Sequence, residues 1–158
     1  MHILKIKTNK EELIDITERI SKLININEGL CIIFVRHTTA ALLINENEEG
    51  IKKDIIKILK STVPEGKWEH NKIDHNATSH LKSTFLNSSL TVPISNKKLM
   101  LGTYQSIFLL ELGPSLTEQK MQSALQLVIG FNSMISLPLS RMPKKLRPIN
   151  GSPKSSST

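Results

Sequence analysis

The sequence is short of the residues that staple chains together or stack on flat ligands. Cys31 is the only cysteine among 158 residues, so an intrachain disulfide framework is excluded and an oxidising compartment gains no support. It lies inside "LCIIF", where an apolar strand buries it as a small hydrophobe, and no neighbouring group lowers its pKa. Aromatic residues make up 4% of the chain, which leaves few platforms for stacking bases and puts nucleic acid last among partners. The longest apolar runs, "LCIIFV" and "SIFLLEL", fall far below the roughly 20 residues that cross a bilayer. No basic, apolar, small-residue leader opens the sequence, so the expectation is a soluble cytoplasmic protein with no membrane partner.

Several catalytic signatures are missing too. There is no glycine-rich phosphate loop, no cysteine pair, no His-Glu-x-x-His and no internal repeat, and "NSSL" lacks a nucleophile-elbow pattern. A phosphate would have to be held by helix N-termini, hydroxyls or lysines such as Lys82.

What is present fits one α+β domain followed by a tail. A hydrophobic content of 39% over this length buries a core without staples. The net charge of +7 is unevenly placed. Residues 141–158 hold Arg141, Lys144, Lys145, Arg147 and Lys154 with no acid, so five of the seven excess charges sit there. We therefore divide the chain into a domain over 1–132 and a basic, Pro/Ser-rich, disordered tail over 133–158.

Along the domain, "HILKIKT" predicts an edge strand that includes His2. Asn9 and Glu12 have the spacing of a capping box. Leu13, Ile16, Ile20, Leu23 and Ile24 then recur as in an amphipathic helix. "LCIIFVR" and "AALLINE" are strands around a polar "HTT" break. A second helix from about Glu48 to Lys60 turns Ile51, Ile55, Ile58 and Leu59 inward, and Asn47 stands where it could cap it. A short helix over "TSHLKSTFL" starts with Thr78 or Ser79 as its cap. "LTVPI", a turn at "SNKK", "LMLG" and "YQSIFLLEL" follow. Pro93 implies an edge or a bulge, and "MQSALQLVIG" favours a last strand.

The stretch "WEHNKIDHNATSH" crowds His70, His75 and His80 into a polar loop, and His37 stands where a strand hands its side chain to a loop. Imidazoles from separate segments could converge on one ion or exchange protons. Polar groups available to join them include Asn45, Asn47, Asn76, Thr103 and Gln105. Gly102 in "GTYQ" lets backbone approach a ligand or marks a bulge.

"HTTAALLINEN", "WEHNKIDHNATSHLKS", "SSLTVPI" and "LGTYQSIFLLEL", in that order across residues 1 to 130, closely resemble the YjbQ-like family. The resemblance implies a compact α+β homotrimer with mixed or antiparallel sheets, two to three helices and pockets near subunit boundaries. It implies a secondary thiamine-phosphate synthase activity, in which hydroxymethylpyrimidine diphosphate and thiazole phosphate join and diphosphate leaves, as a side activity on a phosphorylated small molecule. Carried onto this sequence, the catalytic and metal-binding residues are His37, His70 and His80. The substrate-binding residues are Asn45, Asn47, Asn76, Thr103, Gln105 and Glu111. Three imidazoles point to zinc, whereas magnesium would enter with a diphosphate substrate.

Three departures stand out. Tyr104 replaces the family's tryptophan, His75 stands where glycine is usual, and "LGPSLTEQKMQ" after Glu111 carries no arginine where the family has several. The last removes a bidentate phosphate donor. It keeps a second reading open, a catalytically impaired trimeric ligand-binding or scaffold protein of the same fold.

Overall fold

The computed structural model describes residues 1–8, 11–113 and 125–132. Asn9 of the capping box, the first residues of the expected last strand and the tail over 133–158 lie outside these. The described residues form an α+β fold of two antiparallel sheets and three α-helices. The larger sheet has the order β1-β8-β3-β5-β6, from His2–Ile6, Leu125–Asn132, Gly29–Val35, Ser89–Ser95 and Lys98–Leu99. The smaller runs β2-β7-β4, from Glu12–Asp15, Gln105–Glu111 and Ala40–Glu46.

Side-chain alternation explains how the layers form. In β3, Cys31, Ile33 and Val35 are buried while Ile32 and Phe34 face outward, the period of a strand with one covered face. The inward set packs with Val92, Ile94, Leu127 and Ile129 of its own sheet and with Leu42, Ile107 and Leu109 of the smaller one. On the far side of the smaller sheet, Leu110 and Leu112 meet Ile55, Ile56 and Leu59 of α2 (Glu49–Thr62). Strand β7 is thus covered on both faces, and Ile107–Glu111 are all buried. This is why "SIFLLEL" is continuously apolar rather than alternating. Each fully buried Leu or Ile contributes about 1.5–3 kcal/mol.

The strand β1 is an edge strand as expected, with Leu4 and Ile6 turned inward and Ile3 exposed. Pro93 fits for a related reason. Its carbonyl accepts from Met100 N–H at 2.8 Å, so its nitrogen faces the outer edge and no hydrogen bond to β3 is lost. The "SNKK" turn has Asn96 and Lys97 at φ of 51° and 60°, the left-handed pair that a two-residue hairpin requires. Only Lys98–Leu99 of the expected "LMLG" strand joins the ladder.

Four expectations are corrected. Glu12–Asp15 is a strand on β7 and only Thr17–Ser21 forms α1. In the strand, Leu13 packs toward α2 and Ile14 toward the main core, which a helix could not do with adjacent residues. Ile58 is 62% exposed, and Ile56 takes the inward place beside Leu59. The cap of α2 is the Glu48 carboxylate, which accepts from Gly50 and Ile51 N–H, while Asn47 donates to Asp15 instead. At α3 (Ala77–Thr84) neither Thr78 nor Ser79 caps. The Asn71 carbonyl accepts from Ala77 N–H, and Thr78 donates to Glu65.

Among the described residues no helix is long and apolar enough to cross a membrane.

Candidate functional site

The "HTT" loop leaves β3 at Val35 and returns as β4 at Ala40, so His37 and Thr38 project from the rim of the fold. The helix α3 is tied to this loop by Ser83, whose hydroxyl donates to the Thr38 carbonyl at 2.7 Å. That bond brings His80, three residues earlier on α3, to the same groove as His37. A 3-10 turn, Glu69–Lys72, supplies His70. The His70 and His80 rings meet edge to face with centroids 4.8 Å apart. Burial, then the neighbouring His70 and His37, hold the His80 pKa below the ordinary imidazole value against the opposing pull of Asp74. His80 therefore favours the neutral form at physiological pH.

The groove has a volume of about 560 Å³. Its polar lining comprises Arg36, His37, His80 and hydroxyls such as Thr38, Ser83 and Ser88, with no carboxylate among the described residues. The imidazole of His37 is held through Nδ1, which lies 3.0 Å from the Thr39 hydroxyl and accepts from Thr39 N–H at 3.4 Å. Behind Thr39 stands Glu111, 6% exposed. Its carboxylate accepts from Thr8 Oγ1 at 2.9 Å and Gly113 N–H at 2.8 Å. Thr39 also binds this strand end directly, its carbonyl accepting from Leu112 N–H.

A second cavity of about 480 Å³ is lined by other residues of α3, among them Thr78, Ser79 and Lys82, with Asn76 just before the helix. Lys82 does not present a free ammonium there. It is 5% exposed and bonds Glu11 at 2.7 Å, while Lys60 bonds the other Glu11 oxygen at 2.7 Å. Burial pushes Glu11 up, but the two lysines outweigh it and leave its pKa below the usual carboxylate value. Asn76 donates to Asp74 at 3.2 Å, and its buried Oδ1 has no hydrogen-bond partner.

The structure therefore divides the candidate residues. It gathers His37, His70, His80 and Asn76 around α3, with Glu111 supporting the loop beneath. Asn45, Asn47, Thr103 and Gln105 lie at the opposite end of the smaller sheet, where Asn45 faces Ser106 and Glu46 faces Gln105. Along β7 that separation from Glu111 is about 20 Å. There Asn45 accepts from Glu46 N–H, Gln105 accepts from Gly102 N–H, and Thr103 is exposed. Among the described residues no three histidine, cysteine or carboxylate side chains stand close enough to hold an ion between them. Cys31 is fully buried, and desolvation pushes its thiol up to about 11. Arg36 of the groove lining and buried Thr39 beneath His37 are the residues that sequence reasoning missed. Their available signal was adjacency to His37.

The family model for "UPF0047 protein YjbQ-like" matches residues 2–127. A UPF0047 protein of Archaeoglobus fulgidus is 41% identical over 124 residues, covering 77% of this chain and 98% of that one. One of Methanothermobacter thermautotrophicus is 45% identical over 117 residues, covering 70% and 82%. A crystal structure of a YbjQ-like protein of unknown function from Sulfolobus solfataricus superimposes with a TM-score of 0.74 at 34% identity, covering 84% of this chain and 96% of its own. An uncharacterised yjbq/upf0047 protein of Clostridium acetobutylicum gives 0.71 at 28%, covering 83% and 98%. With its fold, its motifs and its matches in agreement, the chain belongs to the YjbQ-like UPF0047 family.

Proposed function

We propose that this protein is a cytoplasmic transferase acting on small phosphorylated molecules at the groove beside α3, with secondary thiamine-phosphate synthase chemistry as its assayable side activity. In that reaction the bond between the pyrimidine methylene carbon and the diphosphate oxygen breaks, and the thiazole nitrogen forms the new carbon–nitrogen bond. The electron pair leaves with diphosphate. The observation that carries the reading is that His37 and His80, from two segments, line one groove with Arg36 and no carboxylate among its described lining residues, while His70 meets the His80 ring. Fixed N–H donors beside a leaving oxygen stabilise its developing charge. His80, favouring its neutral form beside His70, is the group we assign to proton exchange with that oxygen.

The three imidazoles do not by themselves close a zinc set, so no step is routed through one. A magnesium ion would come with the diphosphate.

The assay supplies the full-length protein with both phosphorylated substrates and reads thiamine phosphate by conversion to fluorescent thiochrome. Wild type forms product, and His80→Ala lowers turnover by about 100-fold or more. Equal turnover in the variant removes His80 from the mechanism, and absence of product with wild type overturns the synthase assignment. The arginine-free segment after Glu111 favours a second reading, in which the protein binds the phosphorylated ligand without turning it over.

We extend the proposal to a homotrimer. A head-to-tail ring sets one subunit's Gln105 end against the next subunit's histidine end and brings the divided candidate residues together. Sedimentation of the purified protein as a trimer, and recovered activity on mixing His80→Ala with Gln105→Ala subunits, are the expected results. A monomer, or no recovery, overturns it.

A further inference from the structure

We propose that the groove beside α3 is an oxyanion subsite in which the Arg36 guanidinium and the Nε2–H of His37 are the donors, and that Thr39 is the residue that fixes His37 in this donor form. The ring tautomer follows from the backbone. A peptide N–H can only donate, and that of Thr39 points at Nδ1 of His37 with a separation of 3.4 Å. A proton on Nδ1 would set two N–H groups against each other across that distance. The Thr39 hydroxyl, 3.0 Å from the same nitrogen, can turn to donate as well. Nδ1 is therefore the acceptor, and neutral His37 carries its proton on Nε2.

A ring in this form is the wrong way round for a metal ligand through Nε2, which requires a lone pair there and a proton on Nδ1. It suits an anionic oxygen instead. Arg36 adds a cationic fork to the same lining; its described side-chain contact, with Gln126 Oε1, is long at 3.4 Å. Among the described residues no carboxylate lines the groove beside these donors. The second cavity differs on this point, since Glu11 already engages both of its lysines. The ligand class is a phosphate or diphosphate group, whose oxygens the guanidinium fork matches.

The inference deepens the transferase reading, on which its catalytic meaning rests, but its test needs no turnover. Full-length protein labelled with ¹⁵N in histidine is examined by long-range proton–nitrogen correlation at a pH where His37 is neutral, and then titrated with inorganic diphosphate. The expected spectrum shows His37 protonated on Nε2, with that signal shifting on diphosphate addition. Arg36→Gln weakens diphosphate binding by about tenfold or more. Thr39→Val, which loses the hydroxyl but keeps the backbone N–H that sets the tautomer, leaves His37 protonated on Nε2, and a Thr39→Val protein with His37 protonated on Nδ1 overturns the assignment to the backbone. A wild-type His37 protonated on Nδ1, or diphosphate binding unchanged in Arg36→Gln, overturns the assignment. If the spectra and binding hold while no thiamine phosphate forms, the subsite stands and the synthase reading fails. Product formed by a protein whose His37 carries its proton on Nδ1 fails the subsite alone.

Discussion

The two cavities served by α3 are built from similar residue types to opposite effect. On one side Glu11 sits between Lys60 and Lys82 at 2.7 Å from each, so its cations are occupied within the fold. On the other, Arg36, His37 and His80 share a lining in which no described residue is a carboxylate, so no ion pair within that lining engages the Arg36 guanidinium. A charge near a cavity is a binding group only when the fold has not already matched it.

The sharpest way to break this contrast is Glu11→Ala. It leaves Lys82 buried without its counter-charge, and a loss of about 3–5 kcal/mol in denaturant unfolding is expected. Diphosphate affinity of the still-folded fraction should be unchanged, and a matching loss there would merge the two cavities into one site. Thr8→Val comes next. It takes away one of the two donors to buried Glu111 and should destabilise by about 1–3 kcal/mol, seen as a lowered midpoint with the same slope.

Gln105→Ala, at the remote end of β7, removes the side-chain acceptor for Gly102 N–H and is expected to cost about 1 kcal/mol or less. Diphosphate binding to a single subunit should not respond to it. The smallest effect expected is a pH dependence. Because the folded-state pKa of His80 is depressed, the unfolded chain takes up protons first as pH falls below about 6.5. Stability from this group is therefore present above that value and lost as pH falls through the folded pKa. His80→Gln should flatten the slope in thermal melts between pH 5 and 7, to about the extent that this group sets it.

Much of the fold was legible because single-period patterns survive in the sequence. β3 and β7 are apolar runs of strand length, and α2 carries an apolar stripe that closes at Leu59. Legibility failed where two periods run together. Leu13 and Ile14 belong to a strand half-buried on both faces, Ile16 precedes a short helix that contains Ile20, and their combined spacing imitates one long helix. At the site, the family motifs named His37, His70 and His80, and the structure sets His70 against His80 and His80 in the groove of His37. Pairings across the chain were not. Lys82 looked like a phosphate holder because its partner Glu11 lies 71 residues away, and Asn47 looked like a cap because Asp15 lies 32 residues away. Thr39 was overlooked because its effect on His37 depends on how the loop turns, and not on residue type.

The burial of Cys31 equips the wild-type protein with its own clock. As the single thiol of the chain, fully covered on β3 and with its pKa raised to about 11, it reacts with an alkylating reagent only when the large sheet opens. Modification at that one sulfur, followed by mass spectrometry, times the opening of the core in unmodified protein. The same clock, run with and without diphosphate, reports how far a ligand at the rim steadies the centre.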